Sequence, residues 1–107
     1  MANPTQVSWT DATLNTDGTP IAAGEITGYN VGVRLATGSA GTYAYTDTAP
    51  VTATSVLLAS LSPPVPVGES LVAAVQSTGP TNSGWSESAP FTLSAPVPAA
   101  PTAVTVS

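Results

Sequence analysis

The groups able to do acid–base or ionic chemistry in this 107-residue chain are few: Asp11, Asp17, Glu25, Asp47, Glu69 and Glu87, set against a single cation, Arg34. There is no His, Cys or Lys. A histidine base, a thiol nucleophile and zinc or iron sites built from the usual ligands are therefore excluded. One Arg makes no basic patch for phosphates, so nucleic acid is not an expected partner. The six carboxylates stand singly, mostly beside turns, and no pair sits in a recognisable catalytic motif. Glycoside hydrolysis needs two such groups held about 5 to 9 Å apart. A calcium site on Asp17 and loop carbonyls has no EF-hand-like run of ligands behind it, and Arg34 is followed by Leu35, so there is no Arg-Gly-Asp motif. The expectation is a non-enzyme without catalytic, metal-binding or cofactor-binding residues.

Aromatic residues are the other candidates. Trp9 is in phase with Val7 and is expected in the core. Trp85, in Ser83-Gly84-Trp85-Ser86-Glu87, is either a partly buried loop anchor or a stacking platform for a sugar or a protein partner. Tyr43 and Tyr45 alternate within Thr42-Tyr43-Ala44-Tyr45-Thr46 and are expected to share a strand face, either as a protein-contact patch or packed over a sheet edge.

The elements that must position these residues are short strands. Val7-Ser8-Trp9-Thr10 alternates, and Asn15-Thr16-Asp17-Gly18-Thr19-Pro20 supplies a turn with an Asp-Gly pair able to take positive φ. From Ile26 to Leu35, Tyr29, Val31, Val33 and Leu35 fall on one face and Asn30, Gly32 and Arg34 on the other, which predicts a half-buried strand. A turn at 37–41 leads to a strand over 42–46, which Asp47 to Pro50 is expected to break. Residues 54–61 are β-rich, with Val56 and Leu58 in phase. Ser62-Pro63-Pro64-Val65-Pro66-Val67-Gly68 is a corner, because its prolines remove ladder donors. Leu71, Ala73 and Val75 mark a strand over 70–77, a loop spans 78–84, and a last strand is expected over 89–93. Pro96, Pro98 and Pro101 precede a strand-like end. Spacings of about ten residues between short strands fit a β-sandwich.

Charged residues are 7% of the chain, far below the globular norm of about a quarter, so surface polarity rests on 17 Thr and 12 Ser. No stretch approaches the roughly 18 apolar residues of a membrane span, and no membrane partner is expected. The start, Met1-Ala2-Asn3-Pro4-Thr5-Gln6, lacks the basic and apolar regions of a Sec signal. With Met1 as the natural start, the expectation is a product made in a cytoplasm.

Laid end to end, these pieces resemble a fibronectin type III domain. Val7-Ser8-Trp9-Thr10, the turn to Ile21, and Ile26-Thr27-Gly28-Tyr29-Asn30-Val31 look like the family's B strand, BC loop and C strand. Trp9 and Tyr29 take the places of the family's core Trp and Tyr. Leu61-Ser62-Pro63 looks like the Leu-x-Pro closing strand E, and 71–79 like strand F. Leu71 stands where the family usually has a Tyr. The resemblance implies an all-β, immunoglobulin-like sandwich of about seven strands over residues 1–94, with a Pro/Ala-rich arm at 95–107. Only six residues precede Val7, so strand A is either missing or supplied by the C-terminal segment. Thr102, Ala103, Val104, Thr105 and Val106 read like the A strand of a following repeat. A return of that segment onto its own domain must span roughly 20–27 Å, and residues 95–101 reach about 23 Å fully extended. Insertion into a neighbouring copy is the geometrically natural continuation; the alternatives are a flexible tail that docks on neither chain and a return in cis.

The expected function is a structural or interaction module. The first reading is a phage virion component, a capsid decoration or tail protein, whose partners are copies of itself or other virion proteins. The alternative is an adhesive or spacer module of a secreted bacterial surface protein or polysaccharide-degrading enzyme, with carbohydrate a further ligand class. Thr102, Ala103, Val104, Thr105, Val106, Trp85, Tyr43 and Tyr45 are the expected interaction residues.

Overall fold

The alternation of Tyr29, Val31 and Val33 is met across one strand boundary by Val75, Ala73 and Leu71, and this pairing is the centre of the molecule. The computed structural model describes residues 3–95, 100–103, 105 and 106. Among these, the strands are β1 (Gln6–Ser8), β2 (Gly28–Leu35), β3 (Tyr45–Pro50), β4 (Ser55–Leu57), β5 (Ser70–Thr78), β6 (Ser86–Glu87) and β7 (Phe91–Thr92). They form two antiparallel sheets: β1 with β4, and a larger sheet ordered β3-β2-β5-β6 in which β7 also pairs with β5. The fold is all-β.

In the β2–β5 register Val31 lies opposite Val75, Val33 opposite Ala73 and Leu35 opposite Leu71. The side chains of Val31, Val33, Leu71, Ala73 and Val75 point inward because successive residues of a strand face opposite sides, whereas Leu35, expected on that face, is exposed because β2 ends there. Leu71, Val31 and Val33 are fully buried, and Val7, Leu58, Leu61 and Leu93 close the core around them. Trp9 packs against this cluster, its ring 5.1 Å from that of Tyr29.

Several boundaries differ from the sequence expectation, each for a local reason. The third strand does not run over 42–46 and stop at Asp47; it is Tyr45–Pro50, with Asp47 opposite Val31 and Pro50 opposite Gly28. Pro50 is tolerated because β3 is an edge strand ending there. The β-rich run over 54–61 ends at Leu57 and turns through a single 3-10 turn, Leu58–Ser60. The Ser60 hydroxyl sits between Asp47 Oδ2 at 2.6 Å and the Leu57 carbonyl at 2.8 Å. The last strand, expected over 89–93, is shortened to β7, and the unexpected β6 precedes it; between them the Ser88 hydroxyl accepts the Ala73 N–H at 3.0 Å and Pro90 has no N–H to offer.

β2 is not half-buried. Gly32, on its outer face, is buried, as are Val72 and Ala74 on the same face of β5. Something other than solvent covers that face. Of the 102–106 segment, expected to be strand-like, the described residues Thr102, Ala103, Thr105 and Val106 are not in a strand and are exposed, and Ala103 has φ +54°. Val104 lies outside the described residues.

Candidate functional site

Two places gather polar or aromatic groups. The first is the covered outer face of the larger sheet. Gly32 on β2 lies opposite Ala74 on β5, which lies opposite Glu87 on β6. Two small residues in a row leave a trough, and the Tyr43 ring fills it. A Cβ built on Gly32 would stand 2.6 Å from Tyr43 Cγ. Trp85 packs on Tyr43, with ring centroids 4.4 Å apart.

Glu87 is held from both sides. The Arg34 guanidinium donates from Nε to Oε2 at 2.8 Å and from Nη2 to Oε1 at 2.9 Å, and the Tyr43 hydroxyl donates to Oε2 at 2.7 Å. The remaining Arg34 nitrogen, Nη1, donates to the carbonyls of Leu35, Ala36 and Gly38. These charge-assisted bonds lower the Glu87 carboxyl from 4.5 to about 2, Arg34 contributing most and Tyr43 next. Burial, then the bond to Glu87, pushes the Tyr43 hydroxyl up. A carboxylate this stabilised is a poor proton acceptor at neutral pH. The cluster is a clasp that fastens the 36–44 loop across β2 and β5 to β6.

The clasp makes a pH prediction. The folded pKa of Glu87 lies below its unfolded value, so its stabilising contribution is complete above about pH 4.5 and is lost as pH falls toward 2. Urea midpoints measured from pH 7 to 2 are expected to fall in this window more steeply for the native chain than for Glu87→Gln. Equal profiles would refute the assignment. Arg34→Lys keeps the charge but not the two-pronged geometry. In that variant the Glu87 titration, followed by carboxyl NMR shifts, moves back up toward 4.5.

Tyr43 and Tyr45 do not share a face. Residues 42–44 are not in a strand, so the alternation rule does not apply across them. Tyr43 covers the outer face, while Tyr45 packs against the core. Trp85 is half-buried on Tyr43, an anchor of the loop before β6. No sequence signal links Arg34 to Glu87, which are 53 positions apart. The other carboxylates with partners are also tied into the fold: Asp11 accepts from the Tyr29 hydroxyl at 2.7 Å, Asp17 from the Thr19 hydroxyl at 2.6 Å, and Asp47 from Ser60. The Thr19 bonds hold the Asp17 carboxyl low and close the turn in which Gly18 takes φ +87°.

The second place is the open side of the sandwich. Among the described residues β1 pairs on one side only, with β4. Leu58 N–H donates to the Thr5 carbonyl and Trp9 N–H to the Thr54 carbonyl. Residues 5, 7 and 9 therefore face β4, and by alternation the N–H and C=O of Gln6 and Ser8 point to the unpaired side. Beside that edge lies a cleft of about 490 Å³ between the sheets, lined by Trp9, Tyr29, Ala73, Val75, Ser86 and Ser88 among others. Burial raises the Tyr29 hydroxyl pKa, with Asp11 adding to the shift. A smaller groove of about 330 Å³ lies between the 12–26 and 77–83 segments, lined by Leu14, Ile21, Ile26 and Pro80 among others.

Among the described residues no three His, Cys, Asp or Glu side chains converge as a metal site, and no helix is long and apolar enough to cross a membrane. Comparison with protein-family models, with curated proteins and with solved structures finds no match to this chain.

Proposed function

We propose that this protein is a non-enzymatic structural module of the fibronectin type III kind that works by protein–protein assembly, as a bacteriophage virion component such as a capsid decoration or tail protein. The observation that carries this reading is the outer edge of β1, beside which no strand lies among the described residues. The strand order, β1-β4 against β3-β2-β5-β6, with Trp9 on Tyr29, supports a sandwich of this kind. The outer edge of β1 offers the N–H and C=O of Gln6 and Ser8 to a protein partner. The engagement of Asp11, Asp17, Asp47 and Glu87 as structural ties supports a role without catalysis.

Density-gradient purification of particles from a phage lysate, followed by peptide mass spectrometry, tests the reading. The protein is expected to band with the particles at a fixed ratio to the major capsid or tail protein. Recovery only from the soluble fraction, the medium or the cell surface would overturn it.

The groove at the loop end favours the second reading, an adhesive or spacer module of a secreted bacterial surface protein, since Leu14 is 57% exposed there. That reading predicts recovery at the cell surface, and its carbohydrate-binding form predicts a tryptophan fluorescence change on titration with polysaccharide.

A further inference from the structure

A long strand at the edge of a sheet carries a row of main-chain groups on which another chain can pair, and proteins blunt such edges with lysine, proline or local cover. This chain has no lysine and one arginine, so positive charge is scarce for the task. β3, Tyr45–Pro50, is six residues long and is the longest edge strand among the described residues. An added strand would gain most there.

The outward row of β3 is already paired within the chain. Thr46 N–H donates to the Ser62 carbonyl and Ser62 N–H to the Thr46 carbonyl, both at 3.1 Å. Thr46, Thr48 and Pro50 therefore turn their main-chain groups away from β2, since alternate residues of a strand bond to opposite sides. Pro50 has no N–H, and its carbonyl accepts the Ala53 N–H at 2.9 Å. Thr48 is the gap. Continued by two residues, the Thr46–Ser62 bridge would set Ser60 opposite Thr48, but the chain turns off there through Leu58–Ser60, and no main-chain rung joins the two. The Asp47 side chain stands in for it: Oδ1 accepts the Thr48 N–H at 2.8 Å, and Oδ2 lies 2.6 Å from the Ser60 hydroxyl. Among the described residues, only the Thr48 carbonyl of this row is left without a partner.

We infer that Asp47 seals β3, so that neither a second copy of this chain nor another extended segment lengthens the larger sheet at that edge. The placement of Asp47 adds to the seal. It lies opposite Val31, on the face that Tyr45 and Ala49 turn to the core, and an incoming strand would have to strip its carboxylate of both partners. Hydrogen bonds to an ionised acceptor are roughly twice as strong as neutral ones, so that exchange is unfavourable. The inference stands on the hydrogen bonds of β3 and goes beyond the assembly reading above: whatever the partner, it docks on other surfaces of the sandwich.

Amide hydrogen exchange read by NMR, together with light scattering over a concentration series, tests this on the full chain. The Thr48 amide of the native chain is expected to be protected although the residue is exposed. In D47A it is expected to exchange at least about tenfold faster, with the amides of β5 near their native rates. D47N keeps an acceptor oxygen and is expected between the two. D47V/P50T removes the carboxylate and restores an edge N–H. It is expected to self-associate at concentrations at least about tenfold below any at which the native chain does. Adding T48P is expected to abolish that gain by removing the freed donor. A native Thr48 amide that exchanges as in an unfolded chain overturns the inference, as does D47A with the native Thr48 rate. So does D47V/P50T with native circular dichroism and unchanged mass at every concentration. Where that variant does not fold, the exchange rates of D47A and D47N decide alone. Absence of the native protein from purified particles overturns the assembly reading and leaves the seal standing.

Discussion

Leu71→Ala is expected to cost about 3 kcal/mol of folding stability, within the range of about 2–5 kcal/mol for leucine truncation in a core. Leu71 has no exposed surface, and among the described residues only Val31 and Val33 match it as large side chains. It lies opposite Leu35 on one side and Phe91 on the other, so the cavity would open where β2, β5 and β7 meet. Domains of this size hold about 5–15 kcal/mol in all, and few residues here are available to collapse into the gap. The melting temperature should fall by about 15 °C, and the urea midpoint should fall with no change in slope. Leu14→Ala, at a position 57% exposed, is expected to change stability by no more than about 0.5 kcal/mol. Equal effects of the two substitutions would show that the core has been misplaced.

The second large effect is expected at Gly32. In Gly32→Ala the new methyl would meet Tyr43 Cγ at 2.6 Å and Cβ at 2.7 Å. These atoms lie at the root of the tyrosine side chain, so a rotamer change cannot clear them, and the 36–44 loop itself must lift. Overpacking of this kind costs about 1–3 kcal/mol. It also separates Tyr43 from Glu87 and from Trp85, which gives the substitution a signature that a general loss of stability lacks. The tryptophan emission and near-ultraviolet dichroism of the folded variant should change at temperatures well below its melting point. The acid-side loss of stability assigned to Glu87 should also become shallower. A variant that melts earlier with unchanged folded-state spectra would mean that Tyr43 does not depend on the bare Gly32 surface.

The two positions differ in how far sequence reasoning reached them. Leu71 is in phase with Ala73 and Val75, and that period of two is a property of the chain alone. Burial follows once one face of the strand must leave water. Gly32 is in phase with Asn30 and Arg34, and the same period assigns it to solvent. Its burial comes from a loop that crosses back over the sheet, and the alternation of β2 carries no information about what crosses it. Tyr43 and Tyr45 show the same limit: they alternate in sequence, yet the strand begins only at Tyr45, so the two rings end on opposite sides. Glu87 reads as one of six isolated carboxylates until the register sets it opposite Ala74 and within reach of Arg34.

The chain by itself determined the all-β character, the turn at Asp17-Gly18, the corner over 62–68 and the inward face of the two longest strands. Each of these depends on near neighbours in sequence, through side-chain alternation or the dihedral preferences of Gly and Pro. Only the tertiary structure decided which strands meet, and with them the Arg34–Glu87–Tyr43–Trp85 clasp and the pairing of β1 with β4. Those features depend on register between segments far apart in sequence. The Asn3–Ser94 pair is the clearest case, since two hydrogen bonds across 91 positions tie the residues that lead into β1 to those that follow β7.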